Sequence, residues 1–421
     1  MNEYFLHYLW KYRLIEDPVT VEGAPVRVIR PGTDTGGGGP DFQNALLVIG
    51  GQKWAGNVEI HLRSSDWFLH GHEKNPAYDN VILHVVWEHD VEVFRPGNTP
   101  VETLELQGKI PRKLLERYER LQAGSHSQFA CEKMIKDLDT GYLIPWLERL
   151  YVERLEEKYE YLGRLLAESK NDWEAVLFIT LLRNFGLNRN GEAFGKIARG
   201  VGFKTFKKTL GKPGETEALL LGQAGLLEGH PSDAYHGELM ETYRYLKHKY
   251  RLPVPVNVEF FRLRPPNYPT VRLVQFAGLY RRTPRLFDLL MKTPSQDELY
   301  GILEAEASGY WRTHYTFGKE STARSKKISQ AFKDLLMINT ILPLRFAYYK
   351  SMGKDEAWQI LEWMHSIPPE ENRYTTMYSR AGLSPGDAAA SQAMIHLKKN
   401  YCDRRRCLEC AAGLRLLQRE G

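Results

Sequence analysis

Hydrophobic positions change their period about a quarter of the way along the chain. Over residues 3–14 the apolar residues Phe5, Leu6, Leu9, Trp10 and Tyr12 recur at helical spacing, which predicts a short amphipathic helix. Strand-like runs follow at residues 26–29, 45–49, 57–62 and 81–87. A glycine-rich turn, from Pro31 through Gly36–Gly39 to Pro40, separates the first two. A short segment around 65–78 separates the last two. A strand pair near 91–94 and 102–107 is expected to complete the sheet. Beyond it the period becomes helical, over 111–121, 143–169, 172–185, 215–227, 233–248, 283–290, 295–306, 329–338 and 354–365. Residues 124–127 read as a linker. Residues 251–269 carry five prolines and read as a stiff connector or binding loop. The pattern predicts an α+β protein, with a small α/β sheet domain at 1–123 and a large all-α domain at 124–421.

Composition adds limits. The chain has 421 residues, 43% hydrophobic and 26% charged, which excludes disorder for most of its length. The net charge of +5 permits an anionic partner such as DNA or RNA and does not require one. No apolar run is long enough to span a membrane. The first residues lack the basic, apolar and small-residue order of a signal peptide, so a cytoplasmic location is expected. In a reducing compartment the four cysteines are expected to be thiols or metal ligands.

Two segments carry the first chemical suspicion. Gly39-Pro40-Asp41-Phe42 opens one strand, and Asn57-Val58-Glu59-Ile60-His61 lies in the next. Alternation puts Glu59 and His61 on one face, and a hairpin would bring Asp41 beside Glu59. Two carboxylates and a basic group at a sheet edge suit Mg²⁺ or Mn²⁺, which can activate a water against a phosphodiester. The plainer alternative is a turn aspartate and a solvated edge glutamate. Five of the 13 histidines fall between 61 and 89. His61, His70 and His72, with Asp66 nearby, offer a second metal site of the Zn²⁺ type. His84 sits in an apolar strand and reads as a hydrogen-bonded core histidine, and His89 as a solvated turn residue.

At these residues the sequence resembles the PD-(D/E)xK nucleases, with their restriction-endonuclease-like fold. Their pattern is an acid in a first helix, Pro-Asp opening the second strand and acid-x-Lys on the third. Glu3, Pro40-Asp41 and Glu59-Ile60-His61 stand in that order. The resemblance implies Asp41 and Glu59 as metal holders and Glu3 as a supporting acid. His61 takes the place of the usual lysine. The runs GPDF, GNVEIH, SDWFLHGH, VILHVVW, RLRPPNYPTVRLVQFAGLY and YCDRRRCLEC also resemble a bacterial family known as domain of unknown function twenty-eight fifty-one. That resemblance spans nearly the whole chain and implies no activity.

Cys402, Cys407 and Cys410 fall within nine residues, and Cys131 is the only other cysteine. Four thiolates suit Zn²⁺ or an iron–sulfur cluster of the 4Fe–4S type. His396 with the C-terminal three is the competing ligand set. Lys398, Lys399 and Arg404–Arg406 are expected to lower the thiol pKa values. Some helicase-associated nucleases carry an iron–sulfur staple of one distant cysteine and a C-terminal trio, and the arrangement is similar. Arg262, Arg264, Arg272, Arg281 and Arg282, interleaved with Tyr268, Phe276 and Tyr280, could bind a phosphate backbone and stack bases. So could Arg183-Asn184, Asn188-Arg189-Asn190 and residues 310–319. The alternative is that they pack helices together. Walker A, GxGxxG, GxSxG and HExxH patterns are absent from the sequence.

Three functions follow as expectations. The first is a metal-dependent nuclease at Asp41, Glu59, Glu3 and His61. The second is a catalytically inactive nucleic-acid-binding protein. The third is a hydrolase with metal on His61, His70 and His72 that does not act on nucleic acid.

Overall fold

The computed structural model describes residues 1–35, 38–123, 128–307 and 309–418. The expected linker at 124–127 and glycines 36 and 37 lie outside the described residues. The protein is α+β, with a mixed sheet followed by many helices. Contacts divide it into two units. Unit 1 comprises residues 1–143, 381–383 and 397–421, and unit 2 comprises 144–380 and 384–396.

Unit 1 opens with α1 (Glu3–Lys11). The Asn2 side chain caps it by accepting from the Phe5 N–H at 3.1 Å. Phe5, Leu6, Tyr8, Leu9 and Trp10 are buried on its inner face. The helix stops short of Leu14 because the chain turns out at Arg13, where φ is +55°. Next comes an antiparallel meander of β1 (Val26–Arg30), β2 (Phe42–Ile49) and β3 (Gln52–Arg63). Gly50 and Gly51 link β2 to β3 with φ of +57° and +88°, the two left-handed residues that a tight hairpin of matching twist needs. Thr33–Asp34 pairs with the start of β2.

β4 (Val81–Glu88) runs parallel to β3, and β5 (Thr103–Glu105) parallel to β4. A parallel neighbour requires a crossover. Residues 64–80 make it, with α2 (Asp66–Leu69) and two 3₁₀ turns, His72–Lys74 and Pro76–Tyr78. The sheet order is therefore β1-β2-β3-β4-β5. Trp67, Tyr78, Val81, Val93 and Val101 form the core under the crossover. Burial of each large apolar side chain contributes about 1.5–3 kcal/mol. Gly56 is required where β3 meets β4, since a Cβ there would lie 2.4 Å from Ile82 Cγ2 and 2.6 Å from the Asn80 carbonyl oxygen. The strand expected at 91–94 is reduced to a two-residue ribbon, Phe94–Arg95 with Thr99–Pro100.

The expected boundary at 123/124 differs from the observed one in a way that matters. Residues 397–421 group with the sheet unit. The helix Ala411–Gln418 packs on α3 (Arg112–Ala123), and Arg117 Nη1 donates to the Leu417 carbonyl at 3.2 Å.

Unit 2 is helical. α4 (Thr140–Glu168), which starts at the end of unit 1, leads to α5 (Trp173–Phe185), α6 (Leu187–Val201), α7 (Phe203–Thr209), α8 (Pro213–Gln223), α9 (Ala234–Tyr250) and α10 (Pro269–Arg282). Phe178, Phe206, Phe276 and Tyr280 pack tilted or edge-on at its centre, with Phe178 and Phe206 ring centroids 4.7 Å apart. α6 and α7 carry no expectation from the sequence, because glycines at 186, 191, 195, 200 and 202 lower local helix propensity. The proline-rich connector is tied down by side chains: Asn190 Oδ1 accepts from the Glu259 N–H at 2.8 Å, and Asn190 Nδ2 donates to the Glu259 carbonyl at 2.9 Å. Later helices include Gln330–Leu336 and Leu342–Ser351, joined by a π turn at Met337–Ile341. Among the described residues, no helix is long and apolar enough to cross a membrane.

Candidate functional site

The β2–β3 pairing sets the first geometry. Phe42 faces Val58, so Asp41 stands opposite Glu59 on the same face of the sheet. Asp41 is bonded twice across the strands. The Asp41 N–H donates to Glu59 Oε2 at 3.0 Å, and the Ile60 N–H donates to Asp41 Oδ2 at 2.9 Å. His61, two residues on, presents Nε2 3.6 Å from Glu59 Oε1. The crossover then lays His70 and His72 over these residues. His72 Nε2 lies 3.1 Å from Glu59 Oε1, and His61 Nε2 lies 3.1 Å from His70 Nδ1. One nitrogen from each of His61, His70 and His72 falls within 4.8 Å of the other two. Asp66 does not join them directly: its Oδ2 accepts from the Arg63 N–H at 2.9 Å and shapes the turn.

Burial grades across the centre. Glu59, His61 and His72 are buried, Glu3, His7 and Asp41 are half-buried, and His70 is exposed. The site is therefore open on the α1 and His70 side. Trp67 forms its floor, with its ring 5.3 Å from His72 and 5.2 Å from His84. Burial first, then the nearby Asp41, raises the Glu3 carboxyl above its ordinary range. Burial also raises Glu59, against the opposing contact from His72. Burial, then the neighbouring His72 and His70, pushes His61 down to about 4, which leaves it a neutral imidazole near pH 7.

The donor set fits a transition metal better than Mg²⁺ alone. Imidazole nitrogens with a carboxylate suit Zn²⁺ or Mn²⁺, whereas Mg²⁺ favours oxygen. Both His72 ring nitrogens are buried: Nε2 is satisfied at best by Glu59 Oε1 at 3.1 Å, and Nδ1 has no hydrogen-bond partner among the described residues. Buried polar atoms without a hydrogen bond are rare in folded proteins, and an ion is one way to satisfy them. His84 Nε2 lies 2.8 Å from His61 Nδ1, a contact that fixes the His61 ring and leaves its Nε2 toward His70.

The sequence reading missed His7. It lies one helical turn after Glu3 on α1, with Nε2 3.4 Å from Asp41 Oδ2. Burial works against its proton, but Asp41 outweighs this and raises the imidazole. The four-residue spacing from Glu3 was the available signal. His84 is the buried, hydrogen-bonded histidine expected, and it also supports His61.

All four cysteines belong to unit 1, and the C-terminal three lie near enough to Cys131 for their charge to act on it. Burial first, then the thiols of Cys410, Cys402 and Cys407, raises Cys131 far above the ordinary range. Burial also raises Cys407, outweighing Arg405, so the basic run does not lower this thiol as expected. Cys410 is buried and the other three are half-buried. Gly413 permits the approach of the last helix, because a Cβ there would meet the Cys407 carbonyl oxygen at 2.1 Å. His396, in unit 2, is engaged differently: Nε2 lies 3.3 Å from Glu153 Oε2 and Nδ1 3.4 Å from Glu157 Oε2.

The four residues read as nucleic-acid contacts separate. Arg262 and Arg264 are exposed, and Tyr268 is half-buried with its ring edge-on to Phe260. Arg272 is only 6% exposed. Its guanidinium lies 3.6 Å from the Phe332 ring centroid and donates to Asn267 and Gln275, so it packs α10 against the helix Gln330–Leu336 and the turn before α10.

No curated protein and no solved structure matches the chain. The profile of one family, described as "Protein of unknown function (DUF2851)", matches residues 3–373. With most of its length matched, the chain belongs to the DUF2851 family.

Proposed function

We propose that the sheet unit is a metal-dependent phosphodiester hydrolase acting on nucleic acid, DNA or RNA. The observation that carries this is the convergence of His61, His70 and His72 on the sheet face that also bears Asp41 and Glu59. A Mn²⁺ or Zn²⁺ ion bound there would supply Lewis-acid stabilisation of the charge developing on a phosphodiester. His61 and His72 hold the inner side, and His84 fixes the His61 ring. Asp41 and Glu3 face the open side, where Mg²⁺ or Mn²⁺ could engage the carboxylates, and His7 orients Asp41. Nucleic acid as substrate is supported by the placement of the acids. Glu3 is on the first helix, Asp41 opens the second strand and Glu59 is on the third, as the nuclease resemblance implies. Exposed Arg262 and Arg264 are available for the strand backbone.

Cys131, Cys402, Cys407 and Cys410 would hold Zn²⁺ or a 4Fe–4S cluster as a clip that closes the unit. A second reading, a hydrolase of other substrates, is favoured by the neutral, buried His61 in place of a cationic lysine.

The test is cleavage of single- and double-stranded DNA and RNA in Mn²⁺, Zn²⁺ and Mg²⁺. Cleavage by the native chain should vanish in Asp41→Ala with Glu59→Ala, and in His72→Ala. Cleavage that survives in both variants contradicts the assignment. Retained binding of the same substrates without cleavage turns the reading to the inactive binding protein.

A further inference from the structure

The helical unit holds a cavity of about 220 Å³ among α4, α5 and the π turn Met337–Ile341. Arg154 and Lys158 enter it one turn apart on α4. Thr180, Arg183 and Asn184 enter from α5, and Asn339 and Thr340 from the π turn. Like charges at this spacing repel. Among the described residues neither Arg154 nor Lys158 has a carboxylate within ion-pair distance. Arg154 Nε donates to Gln392 Oε1 at 2.7 Å, and Lys158 Nζ reaches only the Ile338 carbonyl at 3.3 Å. The acid whose charge reaches both, Glu370, is taken up by neutral amides. Asn339 Nδ2 and Gln392 Nε2 donate to its Oε2 at 2.9 and 3.1 Å, and Asn372 Nδ2 to its Oε1 at 3.1 Å. Arg183, paired with Glu192 and set over the Tyr161 ring, adds a third cation.

Neighbouring half-buried cations that lack a paired acid destabilise a fold unless an anion offsets them. Burial, then the adjacent Arg154, holds the Lys158 ammonium well below the ordinary lysine range. The wide turn contributes as well. It leaves the Ile338 and Asn339 carbonyls to side chains, Lys158 and Asn184, each at 3.3 Å. Such π turns recur at functional sites. A cavity of this size holds a tetrahedral oxyanion with room for a small group attached to it.

We propose that this cavity binds a phosphoryl group through Arg154, Lys158 and Arg183, with Asn and Thr side chains as neutral partners. The group arrives either on a small phosphorylated molecule or on the end of a nucleic-acid strand. The site does not depend on the histidine centre, and failure of one leaves the other intact.

The experiment is calorimetric titration of the full chain with inorganic phosphate, then with an oligonucleotide bearing a 5′-phosphate and its 5′-hydroxyl counterpart. Saturable phosphate binding is expected, weakened about ten-fold or more in Arg154→Gln and in Lys158→Met. Lys204→Ala, at an exposed position of α7, should leave it unchanged. Should Lys158→Met fail to fold, for want of its bond to the π turn, Arg154→Gln and Arg183→Gln carry the test. Tighter binding of the 5′-phosphorylated strand assigns the group to a nucleic-acid end. Equal binding of the two strands, with phosphate still bound, assigns it to a small molecule. No saturable phosphate binding up to about 10 mM, or equal affinity in all folded variants, overturns the proposal.

Discussion

The histidine–carboxylate centre and the cysteine quartet both lie in unit 1, and they are built in opposite ways. The first is assembled from α1, two paired strands and the crossover between parallel strands, within the first 72 residues. It mixes nitrogen and oxygen donors, and it is open where His70 is exposed and Asp41 half-buried. The second joins a turn at Cys131 to the last described segment of the chain, uses sulfur alone, and carries thiols that burial raises. Catalytic metal sites keep an open position, and structural ones are closed. On the function proposed above, the contrast gives chemistry to the histidine centre and cohesion to the cysteines.

The largest expected effect lies in the cysteine site. Cys410→Ser should lower the melting temperature by about 10 °C or more, read by circular dichroism, because structural metal binding is folding free energy. An unchanged melting temperature would break the comparison. Glu59→Gln should do the reverse. Hydrolysis should fall about 100-fold or more in kcat, with the melting temperature within a few degrees of native. A large loss of stability with kcat retained would exchange the two roles.

The sequence made the two sites legible to different depths. Pro40-Asp41 and Glu59-Ile60-His61 announced their own pairing, because strand alternation and a hairpin are local geometry. His70 and His72 were legible as donors, though only the parallel crossover explains why they return to the strand they leave. His7 was hidden, since a histidine in an amphipathic helix carries no sign of what it faces. Cys131 could be matched to the C-terminal trio by counting cysteines. The return of residues 397–421 to the sheet unit has no local pattern and depends on the packing of the last helix against α3. The π turn was equally silent, because its extra residue follows from packing. Arg272 shows the limit of composition: an arginine among aromatics reads as a phosphate contact until its burial is known.

Smaller effects sharpen the comparison. Gly56→Ala should destabilise the protein by about 2–3 kcal/mol, measured by urea unfolding, because the added methyl meets Ile82 and the Asn80 carbonyl where β3 crosses the start of β4. The cysteine site does not rest on this crossing, so its metal should be retained in the folded fraction. Asp233, in unit 2, is a control outside both sites. It caps α9 by accepting from the His236 N–H at 2.8 Å and also accepts from Tyr310 and Gly318. Burial tends to raise its carboxyl, but these bonds prevail and lower it. Its stabilisation is therefore full above the ordinary aspartate value and is lost as the pH falls through the lower folded value. Asp233→Ala should cost about 1 kcal/mol at neutral pH and remove that acid dependence, while cleavage and metal content stay native.

The most direct test is elemental analysis of metal in three purified proteins: native, Cys131→Ser with Cys410→Ser, and His61→Ala with His72→Ala. Two separable metal complements are expected. The cysteine variant should lose one, as zinc or as iron with sulfide, and the histidine variant the other. A native protein without metal after anaerobic purification and reconstitution, or a single complement lost in both variants, would contradict the account of two centres.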